Sequence, residues 1–111
     1  MIPEIQAIQE RYDKLTQALS DPSIALAPQK LREVSRERAE LEPIVRKYEE
    51  YRKIAGDLAE ARRLLEDPST EPELRRLAQT EVEELEARER EAAVGLRLML
   101  VPRDPNDEKN V

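Results

Sequence analysis

The chain has 111 residues, a formal net charge of −6, and no histidine, cysteine, tryptophan or phenylalanine. That length holds one domain, and that residue set excludes disulfides, thiolate metal sites and a histidine acid–base catalyst. With 40% charged and 3% aromatic residues, a core must come from Leu, Ile, Val and Ala, a balance that suits long helices and repels nucleic acid except at a local basic patch.

The first element is predicted from Ile5, Ile8, Tyr12, Leu15 and Leu19, which recur in steps of three and four and make one helical stripe. Pro3 near its start loses no hydrogen bond, and Ser20-Asp21-Pro22 ends it. The second runs from about Pro28 to Glu66 on Leu31, Val34, Leu41, Ile44, Val45, Tyr48, Tyr51, Ala55, Leu58, Ala61 and Leu65, about 60 Å if unbroken. Pro43 inside it predicts a kink, or a short break with Pro43 opening a second helix. Gly56 is a softer weak point. The third element carries Leu74, Leu77, Ala78, Val82, Leu85, Ala92, Leu96 and Met99 and should stop near Leu100, ahead of Pro102. Thr70 and Glu73 before it fit a capping box, with Pro72 in the first turn. Leu19-Ser20-Asp21-Pro22-Ser23 and Leu65-Glu66-Asp67-Pro68-Ser69 are nearly the same helix stop. Two short connections between three stripes predict an all-α, three-helix antiparallel bundle with a long kinked middle helix and an extended C-terminal tail. Residues 1–101 form the helical domain and 102–111 a linker. No apolar run nears the ~20 residues that span a bilayer, and no secretory signal is expected.

Candidate chemistry is sparse. Glu81, Glu83, Glu84, Glu86, Glu89 and Glu91 crowd the third helix, yet an acid–base pair needs a pocket that shifts one pKa, and a solvated face is the expectation. No calcium-loop or phosphate-loop spacing occurs, so no metal and no cofactor is expected. Tyr12, Tyr48 and Tyr51 have the spacing of packing residues, and Arg38 and Glu89 should reach outward from the apolar stripes. The arginine pairs are the candidate site: Arg62-Arg63 at the end of helix two and Arg75-Arg76 at the start of helix three meet around turn 66–72, with the start of helix one expected at the same tip. Guanidinium groups bind phosphate bidentately. The first pair suits a helix C-terminus, whereas the second sits at an N-terminus, where positive charge is disfavoured. Glu66, Asp67, Glu71 and Glu73 lie close enough to neutralise all four.

Three stretches carry a resemblance. Pro102-Arg103-Asp104-Pro105-Asn106-Asp107-Glu108-Lys109-Asn110-Val111 resembles the segment that leads into the catalytic core of bacterial class I peptide chain release factors, closest to type 1. Arg11-Tyr12-Asp13-Lys14-Leu15 with Leu19-Ser20-Asp21-Pro22 resembles the opening of that family's first domain. Ser35 to Val45, with Tyr48 and Tyr51, resembles its long second helix. The family's hydrolytic Gly-Gly-Gln has no counterpart, since Gly56 and Gly95 are the only glycines. Its codon-reading tripeptide of Pro-x-Thr type is also missing, Pro68-Ser69-Thr70 being an inter-helix turn. The resemblance implies the amino-terminal domain of a cytoplasmic translation termination factor that is not itself an enzyme. It implies contact with the ribosomal stalk base protein, nearby ribosomal RNA and the recycling GTPase, with Arg62, Arg63, Arg75 and Arg76 as contact candidates, no membrane, and a monomeric fragment. A stand-alone coiled-coil adaptor or chaperone is the alternative, because stripes with three-four spacing also suit oligomers.

Overall fold

A computed structural model describes residues 2–101. Helix α1 spans Ile2–Ala18, α2 Pro22–Ala25, α3 Pro28–Glu66 and α4 Pro72–Leu100. The three long helices are those expected, and the architecture is all-α. The tail 102–111 lies outside the described residues.

The prolines set the boundaries. Pro22, Pro28 and Pro72 each occupy the first turn of a helix, where a missing N–H leaves no carbonyl unpaired and φ is already helical. The repeated helix stop also repeats in geometry. Asp21 Oδ1 accepts from the Ser23 amide at 3.0 Å and its hydroxyl at 2.9 Å. Asp67 Oδ1 accepts from the Ser69 amide at 2.9 Å and its hydroxyl at 2.7 Å. At the first stop this cap opens the one-turn helix α2, which the apolar spacing did not announce. At the second, the expected capping box does not form. The N-cap of α4 is Glu71, with no side-chain hydrogen bond, and Thr70 instead offers its carbonyl to Arg75.

α3 runs unbroken through Pro43, so two helices do not meet there. Proline removes the bond to the carbonyl four residues back, that of Ala39. Both residues are exposed, and water can take that carbonyl in place of the lost donor.

α1 and α4 both pack on α3, and the contact between α1 and α4 is slight. Arg11 forms a bidentate pair with Glu37, and Arg38 donates to Thr16 Oγ1 at 2.9 Å while its guanidinium lies 4.6 Å from the Tyr12 ring centre. These contacts fix α1 antiparallel to the first half of α3. Arg38 therefore reaches sideways to bridge two helices, not outward as expected. Buried Leu58, Ala61, Val82 and Leu85 form the core of the second half, with Ile54 and Leu65 packed against them. There α4 runs antiparallel from Arg75 beside Leu65 to Gly95 beside Lys47.

The two partners use different sides of α3. Leu31, Val34, Arg38, Leu41 and Val45 form one three-four series. Lys47, Tyr51, Ile54, Leu58, Ala61 and Leu65 form another, turned by roughly 150° at 3.6 residues per turn. The bundle is thus two helices thick along much of its length, with extents of 62 × 41 × 20 Å. Ile5, Leu58 and Leu96 are the largest fully buried side chains. Leu74, Leu77 and Met99, expected in the core, are exposed, because they lie off the side of α4 that carries buried Ala78, Val82, Leu85, Ala92 and Leu96.

Candidate functional site

The antiparallel α3–α4 hairpin brings the four candidate arginines to one tip, as the sequence implied. Their roles differ. Arg62 is exposed and its Nη2 lies 3.3 Å from Glu86 Oε2. Arg75 turns inward over the turn: Nη1 donates to the Leu65 carbonyl at 2.9 Å, and Nη2 donates to the carbonyls of Asp67 at 3.0 Å and Thr70 at 3.3 Å. Carbonyls at the end of a helix lack intrahelical donors, and Arg75 supplies one to the last turn of α3. Its place at a helix N-terminus, unfavourable for the α4 dipole, is explained by the carbonyls of the neighbouring helix end.

Arg63 and Arg76 are exposed and form no ion pair among the described residues. Arg76 borders a shallow surface depression with Glu73, Leu77 and Thr80. Glu66, Asp67, Glu71 and Glu73 stand in the same turn, four carboxylates against four guanidinium groups, so the tip has no excess of positive charge. The Asp67 carboxyl is held below its ordinary pKa by the Ser69 hydroxyl and then the Ser69 amide, with Arg75 adding a smaller push. It stays ionised and neutralises this end of the molecule.

The start of α1 is not at this tip. Arg11 lies opposite Glu37, so antiparallel register puts Ile2 near the level of residue 46 of α3, about 30 Å short of the 66–72 turn at 1.5 Å per residue. The last turn of α4 also reaches only mid-α3, where Leu98, Met99 and Val101 share a depression with Pro43 and Ile44.

The tyrosines are all half-buried. Tyr48 and Tyr51 stack with ring centres 6.3 Å apart at 18°, and Tyr12 lies under Arg38. Glu81, Glu83, Glu84 and Glu91 are exposed. Among the described residues no cluster of three or more His, Cys, Asp or Glu is arranged to hold a metal, and no helix is long and apolar enough to cross a membrane. Sequence reasoning passed over Lys30, Arg32 and Arg36 at the start of α3. They are exposed and unpaired among the described residues, and their signal was a run of cations off the apolar stripe.

The PCRF domain family matches residues 8–111. The whole chain is 45% identical to peptide chain release factor 1 of Geobacillus kaustophilus strain HTA426 and covers 31% of it. It is 42% identical to peptide chain release factor 1 of Geobacillus sp. strain WCH70 and 40% identical to that of Bacillus cytotoxicus, again over all 111 residues and 31% of each relative. The chain spans about a third of the length of these curated relatives, at their amino-terminal end. No solved structure matches. With nearly its whole length aligned to the domain, the chain belongs to the PCRF domain family.

Proposed function

We propose that the chain is the docking and positioning domain of a translation termination factor, acting in the cytoplasm on the ribosome. The observation that carries this reading is the identity to release factor 1 proteins along the entire chain. The shape supports it: a rod with extents of 62 × 41 × 20 Å spans distance well and offers only shallow surface depressions among its described residues. Its partners are the stalk base protein, nearby ribosomal RNA and the recycling GTPase. Stop-codon reading and hydrolysis belong to the other two thirds of the relatives' length, since this chain has no two adjacent glycines and hence no Gly-Gly-Gln.

Purified ribosomes carrying peptidyl-tRNA and a stop codon test the reading. The 111-residue chain is expected to compete with a full-length release factor for binding and to release no peptide. Peptide release by the chain alone, or a failure to compete at micromolar concentration, rejects it.

A second reading is a self-associating helical adaptor, favoured by exposed Leu74, Leu77, Leu98, Met99 and Val101 on or beside α4. Sedimentation equilibrium at two concentrations separates the two: the docking domain is a monomer at both, the adaptor an oligomer.

A further inference from the structure

The two ends of the molecule differ in charge in a way the arginine count hides. At the 66–72 tip, Arg75 is taken up by backbone carbonyls, Arg62 lies beside Glu86, and four carboxylates offset the rest. At the other end, residues 11–38 contain Arg11, Lys14, Lys30, Arg32, Arg36 and Arg38 against Asp13, Asp21, Glu33 and Glu37. Arg11 is matched by Glu37 and Arg38 is bound over Tyr12 and Thr16. This leaves Lys30, Arg32 and Arg36 exposed, with Glu33 the one carboxylate among them on α3. Asp21 lies near enough to Lys30 to feel its charge, so the two arginines carry most of the free field.

Their position on the helix is specific. Gln29, Arg32, Glu33 and Arg36 border one shallow depression. Seven-residue steps from Gln29 to Arg36 to Pro43 return to nearly the same side of a helix. Pro43 borders the depression that holds Leu98, Met99 and Val101. Gln29 to Arg36 is therefore the continuation of the α3 side that α4 covers, left bare where α4 ends. No large apolar side chain lies in that stretch of the side. A protein interface is built on a partly apolar centre, whereas a phosphate backbone needs only positive charge and hydrogen-bond donors.

We propose that this bare cationic side of α3, centred on Arg32 and Arg36, binds the phosphate backbone of ribosomal RNA, and that the 66–72 arginine tip does not supply the main RNA contact. The proposal rests on the docking reading above and names the partner class and the end of the rod that meets it.

The test measures binding of the 111-residue chain to purified ribosomes at 50 and 200 mM salt for three forms: unaltered, Arg32→Glu with Arg36→Glu, and Arg63→Glu with Arg76→Glu. The first double variant is expected to bind about tenfold more weakly at the lower salt. Loss of two phosphate contacts also flattens its slope of log affinity against log salt by about 1.5. The tip variant stays within twofold of the unaltered chain. Glu33→Gln binds more tightly. Helix content by circular dichroism guards against misfolding, and Arg32→Gln with Arg36→Gln repeats the test without introducing carboxylates. A photo-crosslinker on Arg36→Cys is expected to capture RNA. If the unaltered chain binds ribosomes and the 32/36 variants bind equally well, or if the crosslinker captures only protein, the RNA assignment is wrong while the docking reading survives. If the unaltered chain binds no ribosomes, both fall.

Discussion

Arg75 and Leu65 are joined across the 66–72 turn by a hydrogen bond of 2.9 Å from guanidinium to backbone carbonyl. The same guanidinium reaches Asp67 and Thr70, so one side chain fastens the end of α3, the turn and the start of α4. Hydrogen bonds from a charged donor contribute about 1.5–3 kcal/mol where they are sheltered. Arg75→Ala is expected to lower stability by about 1–2 kcal/mol, read from urea denaturation. Arg75→Lys recovers only part of this, since an ammonium lacks the planar fork that spreads over several carbonyls. Arg76→Ala, on the exposed neighbour, leaves the midpoint unchanged.

Pro43 and Gly56 are two replaceable weak points in an otherwise continuous helix. Alanine at 43 restores the donor missing opposite the Ala39 carbonyl, and Pro43→Ala should stabilise the protein by about 1–3 kcal/mol with helix content retained. A Cβ built on Gly56 meets nothing within 4 Å, so Gly56→Ala should add about 0.5–1 kcal/mol. Gly95→Ala differs: its Cβ comes within 2.9 Å of Lys47 Cε, and the flexible lysine must move before any gain appears. Thermal melting of the three variants gives the order.

The core is thin, so burial sorts its substitutions sharply. Leu58→Ala, at a side chain 1% exposed, should lose about 2–5 kcal/mol through lost burial and the cavity left behind. Leu77→Ala, at 68% exposure, should change stability by less than about 0.5 kcal/mol. Denaturant midpoints of the pair check this. Equal losses would show that Leu77 is covered in solution.

Acid should loosen both Asp-Pro-Ser stops. Asp21 is held below its ordinary pKa by the Ser23 amide and then its hydroxyl, and Asp67 by the Ser69 hydroxyl and then its amide. Glu37 is lowered by its bond to Arg11. A carboxyl whose pKa is lower folded than unfolded contributes stability above the unfolded value, near 4. That contribution is lost as pH falls through the folded value. Melting temperature should therefore be insensitive to these groups from pH 7 to 5 and decline below about pH 4. Asp21→Asn with Asp67→Asn keeps an acceptor oxygen but removes the titration, and should make that decline shallower.

Helix boundaries were legible because prolines wrote them: Pro28 and Pro72 open α3 and α4, and Val101 before Pro102 closes the last helix. Other features were hidden by taking one pattern at a time. Leu31 through Leu65 reads as a single long stripe until the step from Val45 to Lys47 is followed around the helix, and only then do two sides emerge. Thr70 and Glu73 fit a capping box by spacing, but the bonding at the turn comes from Arg75, ten residues from Leu65, beyond the reach of any local motif. The site was legible as four arginines at one tip. Which of them are free was not, because that depends on the backbone carbonyls and on Glu86, placed only when the hairpin closes.

The change of side along α3 makes the middle helix a clock as well as a strut. Each residue added or removed between Val45 and Lys47 would swing the α4 arm about 100° around the axis relative to the α1 arm, while changing their separation by only about 1.5 Å. The angular setting of the two arms is therefore far more sensitive to the residue count of this stretch than their spacing is.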